Sequence, residues 1–104
     1  MERGGSIYIM TNKGNTTLYI GVTSDLKSRV WEHKNKVYPN SFTSRYNLFK
    51  LVYFENFTTI EEAISREKQL KRWHREWKYN LIKETNPEMI DLSESWGDPE
   101  TSSG

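Results

Sequence analysis

Two short β-type runs separated by a turn constrain the fold of this chain more than any other feature. Residues 6–10 (SIYIM) and 16–22 (TTLYIGV) are rich in β-branched and aromatic side chains, which fit a pleated strand. Between them, residues 12–15 (NKGN) supply Gly and Asn, which tolerate a positive φ. Two such runs around such a turn predict an antiparallel β-hairpin.

The middle of the chain alternates between helical and β-type patterns. Residues 23–25 (TSD) are typical of helix starts, and apolar residues four positions apart follow them, which predicts a helix over 25–35. Residues 34–44 are polar, contain a proline and are predicted to form a loop. Residues 48–54 (LFKLVYF) are predicted to form a third strand, apolar enough to be the central one.

A longer helical pattern follows the third strand. Thr58 and Thr59 stand three residues before Glu61 and Glu62, which is the spacing of a capping box. Apolar residues then recur every three or four positions with no Gly or Pro between them, which predicts one long helix or two consecutive helices. These residues are Ile60, Ala63, Ile64, Leu70, Trp73, Trp77 and Leu81.

The end of the chain is predicted to be less regular. Asn86 followed by Pro87 predicts a short turn of helix over 87–92, and a frayed tail is expected after Trp96. The element order is therefore ββαβαα. Because 104 residues are too few for two independent cores, we expect one α+β domain in which helices flank a small three-stranded sheet.

Composition excludes several kinds of chemistry. The chain has no cysteine, which removes disulfide frameworks, thiol catalysis and Cys-ligated zinc. Only 35% of residues are hydrophobic, but 13% are aromatic and each ring carries a large apolar area, so a packed core is expected. No run of about 18 apolar residues and no secretory signal are present, so we expect a cytoplasmic protein without membrane contacts.

Charge is segregated along the chain. Residues 1–83 hold all 15 Lys and Arg and 8 of the 14 acids, a net charge of +7, whereas residues 84–104 hold 6 acids and no base. A basic body suits a polyanionic partner, nucleic acid first. Lys and Arg also solvate helix faces in proteins that have no such partner. The acidic end either keeps the chain soluble or folds back over the basic surface.

Five polar residues occupy positions where their chemistry needs an explanation: Tyr8, Tyr19, Arg29, His33 and Glu67. Glu67 falls within the apolar helical stripe, and a carboxylate turned toward a core is costly unless it is paired or holds a metal. Arg29 and His33 are four apart and share a helix face, while the two tyrosines lie on the paired strands. Each also has a structural interpretation: strand tyrosines pack in cores, a lone histidine lies on a surface, and Arg29 pairs with Glu32 or Glu67.

Residues 6–8 (SIY) and 19–21 (YIG), with ten residues between the two tyrosines, resemble the paired signature of the GIY-YIG nuclease superfamily. Arg29 and Glu67 stand at the places of that family's arginine and metal-binding glutamate. Residues 63–75 resemble the A-x-x-R-E-K-Q-[IL]-K-x-W-x-R pattern of small stand-alone bacterial proteins of the YhbQ (URI-domain) type. The resemblance predicts a nuclease-like domain over 5–83, followed by an acidic C-terminal tail over 84–104 that is partly helical and then frayed.

The resemblance implies a three-stranded mixed or antiparallel sheet and one divalent cation, Mg²⁺ or Mn²⁺, at a site that cleaves phosphodiester bonds. It implies that Tyr19 activates the attacking water or acts as general base, that Tyr8 assists it, and that Arg29 holds the scissile phosphate. Glu67 is the implied metal ligand. His33 occupies a position at which family members carry Tyr or His in contact with the reacting group.

The residue types suit that reaction. Arginine offers planar donors that match phosphate oxygens, and a single glutamate suffices for Mg²⁺ when waters and substrate fill the other positions. A tyrosine base requires a nearby cation to lower its pKa from about 10. Gly21 is expected to let the strand pass close to a phosphate without a side chain in the way.

The chain departs from the family pattern at two positions. Ser6 replaces the first glycine of the signature, which exchanges one small residue for another. Tyr79 stands where many members carry an asparagine, with Asn80 next to it as a candidate substitute.

Three functions are compatible with these features. The first is a metal-dependent endonuclease that acts on DNA rather than RNA, in repair or processing. The second is a non-catalytic nucleic-acid-binding module of the same fold, and the third is a protein-interaction domain that uses Trp31, Trp73 and Trp77, two of which fit the core stripe. All five site residues are present and a binder has no need of Glu67 in an apolar face, which favours the enzyme. Specificity then has to come from a partner protein or from DNA shape.

Overall fold

A computed structural model describes residues 4–96 and confirms the α+β class. The predicted order ββαβαα is confirmed with one addition, a four-residue helix at the end of the polar segment expected to be a loop. The elements are β1 (Gly5–Thr11), β2 (Leu18–Thr23), α1 (Leu26–Lys34), α2 (Phe42–Arg45), β3 (Lys50–Phe57), α3 (Ile60–Lys71) and α4 (Arg75–Thr85). The additional helix α2 begins where the Ser41 side chain accepts a hydrogen bond from the Ser44 amide.

The three strands form an antiparallel sheet in the order β2-β1-β3. The predicted hairpin is confirmed, and Asn15 takes the positive φ of 58° in its turn. The expectation that the third strand is central is wrong, because β1 lies between the other two strands. Strand β3 is apolar although it lies at an edge, since a later segment covers that edge: the Leu92 amide donates to the Leu51 carbonyl, and the Leu51 amide donates to the Asp91 carboxylate.

The alternation of side chains along β1 divides the core into two faces. On one face, which we call the α3 face, Ile7 and Ile9 pack with residues of the other strands and of α3 and α4. On the opposite face, the α1 face, Tyr8 and Met10 pack with Val30 of α1. All of β1 is buried because both faces are covered.

The long helical pattern is two helices, one of the two alternatives predicted from the sequence. Helix α3 begins with the expected capping box, formed by Thr59 and Glu62. It ends at Arg72, and α4 begins after His74, so the apolar stripe does not keep its phase across the break. Trp77 is therefore 51% exposed, and its assignment to the core is wrong. Among residues 4–96, none of the helices combines the length and the apolarity needed to cross a membrane.

The expected turn of helix over 87–92 is not formed. Asn86 ends α4 instead of starting a new helix, because its side chain donates to the Val52 and Ile90 carbonyls and accepts from the Ile90 amide. Residues 86–96 then run back over the sheet, with Met89 buried in the core. Lys34 pairs with Asp91, and Trp96 contacts Phe54 edge to face. The frayed tail predicted after Trp96 lies outside the described residues.

Candidate active site

The two signature tyrosines lie side by side on the α1 face. Tyr8 faces Gly21 across the β1–β2 ladder, and Tyr19 faces Met10, so both tyrosine side chains point to the same face. Their ring centroids are 6.1 Å apart. Tyr8 is 1% exposed, whereas Tyr19 is only partly buried. The pair therefore has one member in the core and one that solvent can reach.

Gly21 is required by the ring of Tyr8. A Cβ at this position would lie 2.4 Å from both Cζ and Oη of Tyr8, closer than any side chain allows. The absent side chain makes room for the tyrosine ring, and the expected approach to a phosphate stays a prediction. Gly21 and Tyr8 thus form one steric unit in which the glycine fixes the ring position.

His33 connects the tyrosine pair to α2. Its Nε2 shares a 2.9 Å hydrogen bond with the Tyr8 hydroxyl, and its Nδ1 shares a 2.8 Å hydrogen bond with the Thr43 hydroxyl. Burial, together with the positive charge of Arg29, lowers the pKa of His33 to about 4. The ring is therefore neutral at pH 7 and both of its nitrogens are engaged in hydrogen bonds. His33 is buried and is not a surface residue, and its contact with a reacting group stays a prediction.

The hydroxyl of Tyr8 is held in its protonated form. Burial raises the pKa of Tyr8 and the neighbouring Tyr19 raises it further, while the guanidinium of Arg29 opposes both effects without reversing them. The same guanidinium makes a 3.1 Å ion pair with Glu32, one of the two partners expected from the sequence, and lies 5.5 Å from the Tyr38 ring centroid. Arg29 is partly exposed, so it retains access to an anion beside the tyrosines.

A pocket opens beside Tyr19 at the outer edge of β2 and measures about 380 Å³. We call it the Tyr19 pocket; its lining consists of Leu18, Tyr19, Ile20, Phe42, Lys71 and Lys78. Glu67 lies one helical turn before Lys71 on α3, and its Oε2 accepts an ion pair from the Lys71 ammonium at 3.1 Å. The Glu67 side chain is 16% exposed. The structure thus gathers Tyr8, Tyr19, Arg29 and His33 into one cluster. Of the five predicted residues only Tyr19 lines the pocket, and Glu67 is connected to it through Lys71.

Comparison with known proteins identifies the family. The model of the GIY-YIG catalytic domain matches residues 4–80. The chain belongs to the GIY-YIG family. It is 34% identical over 84 residues to a UPF0213 protein of Syntrophus aciditrophicus, an alignment that covers 81% of this chain and 94% of that protein. A UPF0213 protein of Streptococcus pneumoniae is 30% identical over 99 residues, covering 93% of this chain and 98% of the relative.

A solved structure agrees with this assignment. The solution NMR structure of a UPF0213 protein from Bacillus halodurans superposes with a TM-score of 0.54 at 25% identity, covering 88% of this chain and 97% of that one. The fold of this GIY-YIG domain and its resemblance to small stand-alone members of the family are therefore confirmed.

A divalent cation at this site would take its ligands from oxygen-bearing side chains, substrate and water. Among residues 4–96, side chains of His, Asp and Glu do not come together in groups of three or more that could enclose a metal ion. Glu67 supplies a hard carboxylate oxygen that is partly buried and is ion-paired to Lys71, which lines the Tyr19 pocket. Such a donor fits Mg²⁺ or Mn²⁺ bound by one carboxylate, with waters and substrate oxygens as the other ligands.

Several residues of the GIY-YIG site were not anticipated from the sequence. Phe42, Thr43, Lys71 and Lys78 belong to the pocket or to the His33 network. Arg66 binds Glu55 of β3 through two 3.0 Å hydrogen bonds and lies 5.3 Å from the Trp73 ring centroid, which fixes α3 and with it the position of Glu67. In the sequence, the only indication of this role is the position of Arg66 within the 63–75 pattern.

The two departures from the GIY-YIG pattern have different structural consequences. Ser6 donates a 2.6 Å hydrogen bond to the Asn56 side chain on β3, so its hydroxyl is accommodated within the sheet. Asn80 is exposed and lines a separate depression with Arg75, Glu76, Tyr79 and Lys83. Tyr79 donates its hydroxyl to the Asn15 carbonyl and supports the hairpin turn.

Proposed function

We propose that this protein is a metal-dependent endonuclease that cleaves phosphodiester bonds of nucleic acid, DNA in preference to RNA. One observation carries the proposal: a tyrosine pair, an arginine and a buried histidine form one cluster, and its member Tyr19 lines a pocket together with Lys71, the ion-pair partner of Glu67. These are the groups that phosphodiester cleavage requires, namely a group for the nucleophile, a cation for the phosphate and a carboxylate for a metal.

Tyr19 is the residue we assign to the attacking water. Its ring borders the pocket and is only partly buried, so a water in the pocket can reach its hydroxyl. The hydroxyl would orient that water or, as the phenolate, accept its proton. Tyr8 lies beneath it as a positioning residue, because its raised pKa keeps the hydroxyl protonated. His33 acts through Tyr8, since its two nitrogens are committed to Tyr8 and Thr43.

Arg29 and Glu67 complete the proposed site. The planar guanidinium of Arg29 offers paired donors to the oxygens of the scissile phosphate. Glu67 would hold the divalent cation, and Lys71 would leave the carboxylate when the cation binds. When bound, a divalent cation neutralises charge that develops on the phosphate and the leaving oxygen.

The charge of the chain also supports nucleic acid as the substrate class. Residues 1–83 carry a net charge of +7, which favours binding to the phosphate backbone with little dependence on sequence. Affinity should therefore fall steeply as salt increases. The proposed location is the cytoplasm. The proposed source of specificity is a partner protein or DNA shape.

The test is cleavage of labelled DNA and RNA substrates, single-stranded, duplex and branched, with Mg²⁺ or Mn²⁺. Glu67→Gln should abolish cleavage and divalent-ion binding together, and it should leave the fold intact because the side chain keeps its shape. Glu61→Gln is the matched control, since Glu61 is an exposed glutamate in the first turn of the same helix. Calorimetric titration with Mn²⁺ measures ion binding independently of activity.

Two further variants test the assigned roles. Tyr19→Phe should lose cleavage by about 10²–10⁴-fold while keeping ion binding, because only the hydroxyl that handles the proton is removed. Arg29→Lys should lose about 10²-fold, since an ammonium does not reproduce the planar pair of donors. Cleavage by Tyr19→Phe at the wild-type rate would refute the role given to Tyr19.

A second candidate is a non-catalytic nucleic-acid-binding module of the same fold. The observation that favours it is the place of Asn80, which is exposed in a depression separate from the Tyr19 pocket. Absence of cleavage on every substrate, together with salt-sensitive binding, would support the module and reject the enzyme.

A further inference from the structure

An aromatic series leads outward from the candidate active site. The ring of Phe42 lies 6.2 Å from the ring of Tyr19 at an interplanar angle of 29°, and the ring of Tyr46 lies 4.7 Å beyond it. Phe42 is 47% exposed and Tyr46 is 50% exposed. Two large rings left in water beside a reactive site indicate a surface that binds a ligand.

Helix α2 holds this surface in a fixed orientation. Its inner side is anchored, because Thr43 and Ser44 are buried and the Thr43 hydroxyl is bonded to His33. Phe42 and Tyr46 lie four residues apart, on its outer side. The contact that orients His33 therefore also orients the two exposed rings relative to Tyr19.

The opposite wall of the Tyr19 pocket is cationic. Lys71 and Lys78 line it from α3 and α4, and the Lys71 side chain is 54% exposed. One wall thus offers an aromatic ring and the other offers ammonium groups, at a volume typical of sites for small ligands. A nucleotide has the matching parts, a flat base and a phosphate.

Exposed aromatic rings of this kind bind unpaired bases better than paired ones. In a duplex the face of each base is covered by its neighbours, so an exposed protein ring gains nothing from it. An unpaired base offers its face, and stacking on an aromatic side chain contributes substantially to binding of single strands. We propose that Phe42 and Tyr46 stack on unpaired bases beside the scissile phosphate, so that single-stranded or locally unpaired DNA is the preferred substrate.

This inference rests on the proposed function, but its test does not need cleavage. Binding of the full chain to a single-stranded DNA oligonucleotide is measured by fluorescence anisotropy in a chelating buffer, beside the same sequence as a duplex. Wild-type protein should bind the single strand more tightly. Phe42→Ala should weaken single-strand binding by about 10-fold, the effect of losing one stacked base, and leave duplex binding unchanged.

Three controls isolate stacking from folding. Phe42→Leu keeps an apolar side chain and should show the same loss, whereas Phe42→Tyr keeps a ring and should bind as the wild type does. Trp77→Ala removes an equally exposed ring from α4, on the other side of the sheet, and should change neither affinity. A 2-aminopurine base in the oligonucleotide should be quenched by the wild type and not by Phe42→Leu.

The outcomes separate this inference from the proposed nuclease activity. Equal affinity for single strand and duplex, or wild-type single-strand binding by Phe42→Leu, would overturn the stacking role even if the protein cleaves DNA. An equal loss of both affinities in Phe42→Ala would overturn it as well, because charge or folding would then be the cause. Selective loss on the single strand would support it even if no cleavage is found.

Discussion

The two faces of the sheet are built from the same three strands but contain different chemistry. On the α3 face, isoleucines of β1 and β2 meet aliphatic side chains of α3 and α4, and the polar contact between Glu55 and Arg66 lies near the edge at β3. On the α1 face, the centre is Tyr8, whose hydroxyl is bonded to His33. The α3 face holds the larger apolar cluster, whereas the α1 face buries polar groups in a fixed arrangement at its centre.

The largest effect is expected from removing the segment that helps to cover both faces. Truncation after Thr85 removes Met89 from the α3 face, and it removes Leu92 and Trp96 from the α1 face. It also uncovers the edge of β3, so cooperative unfolding in urea should be lost, as followed by circular dichroism. Truncation after Trp96 is the control, because it keeps all of these contacts. A folded chain that ends at Thr85 and binds nucleic acid more tightly would identify the segment as an electrostatic shield instead.

The next comparison uses neighbouring residues of β1 that point to opposite faces. Ile9→Ala should lower the free energy of unfolding by about 3 kcal/mol, because Ile9 is fully buried and the cavity cannot collapse in a central strand. Tyr8→Phe should cost only about 1 kcal/mol, the loss of one buried hydrogen bond. Urea titration of both variants measures the difference, and equal costs would contradict the division between the faces.

Gly21→Ala tests the steric unit on the α1 face. The added methyl group would overlap the Tyr8 ring, so we expect a loss of about 2 kcal/mol in the free energy of unfolding. Tyr8→Leu removes the atoms that clash, so in the double variant the alanine should cost little more. A double-mutant cycle measures this coupling, and simple additivity would show that the two positions are independent.

A smaller effect is expected from pH. The pKa of His33 is about 4 in the folded protein and about 6.5 when unfolded, so the unfolded state binds more protons between these values. Stability is therefore fully present above about pH 6.5 and falls as the pH is lowered toward 4. Lowering the pH from 7 to 5 should cost about 1–2 kcal/mol.

His33→Gln provides the control for this pH dependence. The variant should be less stable at pH 7 but should lose much less stability between pH 7 and pH 5. Titration of Glu55 and Asp91 does not contribute to the pH dependence between pH 7 and pH 5. The pKa of each carboxyl is lowered, because burial is outweighed by hydrogen bonds from Arg66 to Glu55 and from Lys34 to Asp91. Their stabilising effect is lost only at lower pH.

Local patterns predicted most of the fold. The hairpin, α1 and the capping box at Thr59 each depend on neighbouring residues, which a sequence displays directly. The central position of β1 and the exposure of Trp77 depend on contacts between distant segments. The first arises because β2 and β3 both pair with β1, while residues 91–92 cover the outer edge of the apolar β3. The second arises because the helix breaks at residues 72–74 without a Gly or Pro.

The candidate site also has some features that local sequence patterns predict and others that depend on contacts between distant segments. Its five residues were predicted from motif spacing, and the structure gathers four of them directly. The lowered pKa of His33 and the role of Thr43 were not predictable, because they come from a contact between α1 and α2. The contact between Gly21 and Tyr8 was not predictable either, since only the strand register shows that Tyr8 lies opposite Gly21.

The two edge strands of the sheet differ in whether another segment covers their outer edge. Residues 91–92 cover the edge of β3, while β2, among residues 4–96, pairs with β1 only. An open edge is a template on which another chain can add a strand, and charged side chains beside it discourage such pairing. Lys71 and Lys78 stand beside this edge. Replacing both with neutral residues would therefore do more than weaken a nucleotide site: it would leave β2 open to self-association and aggregation.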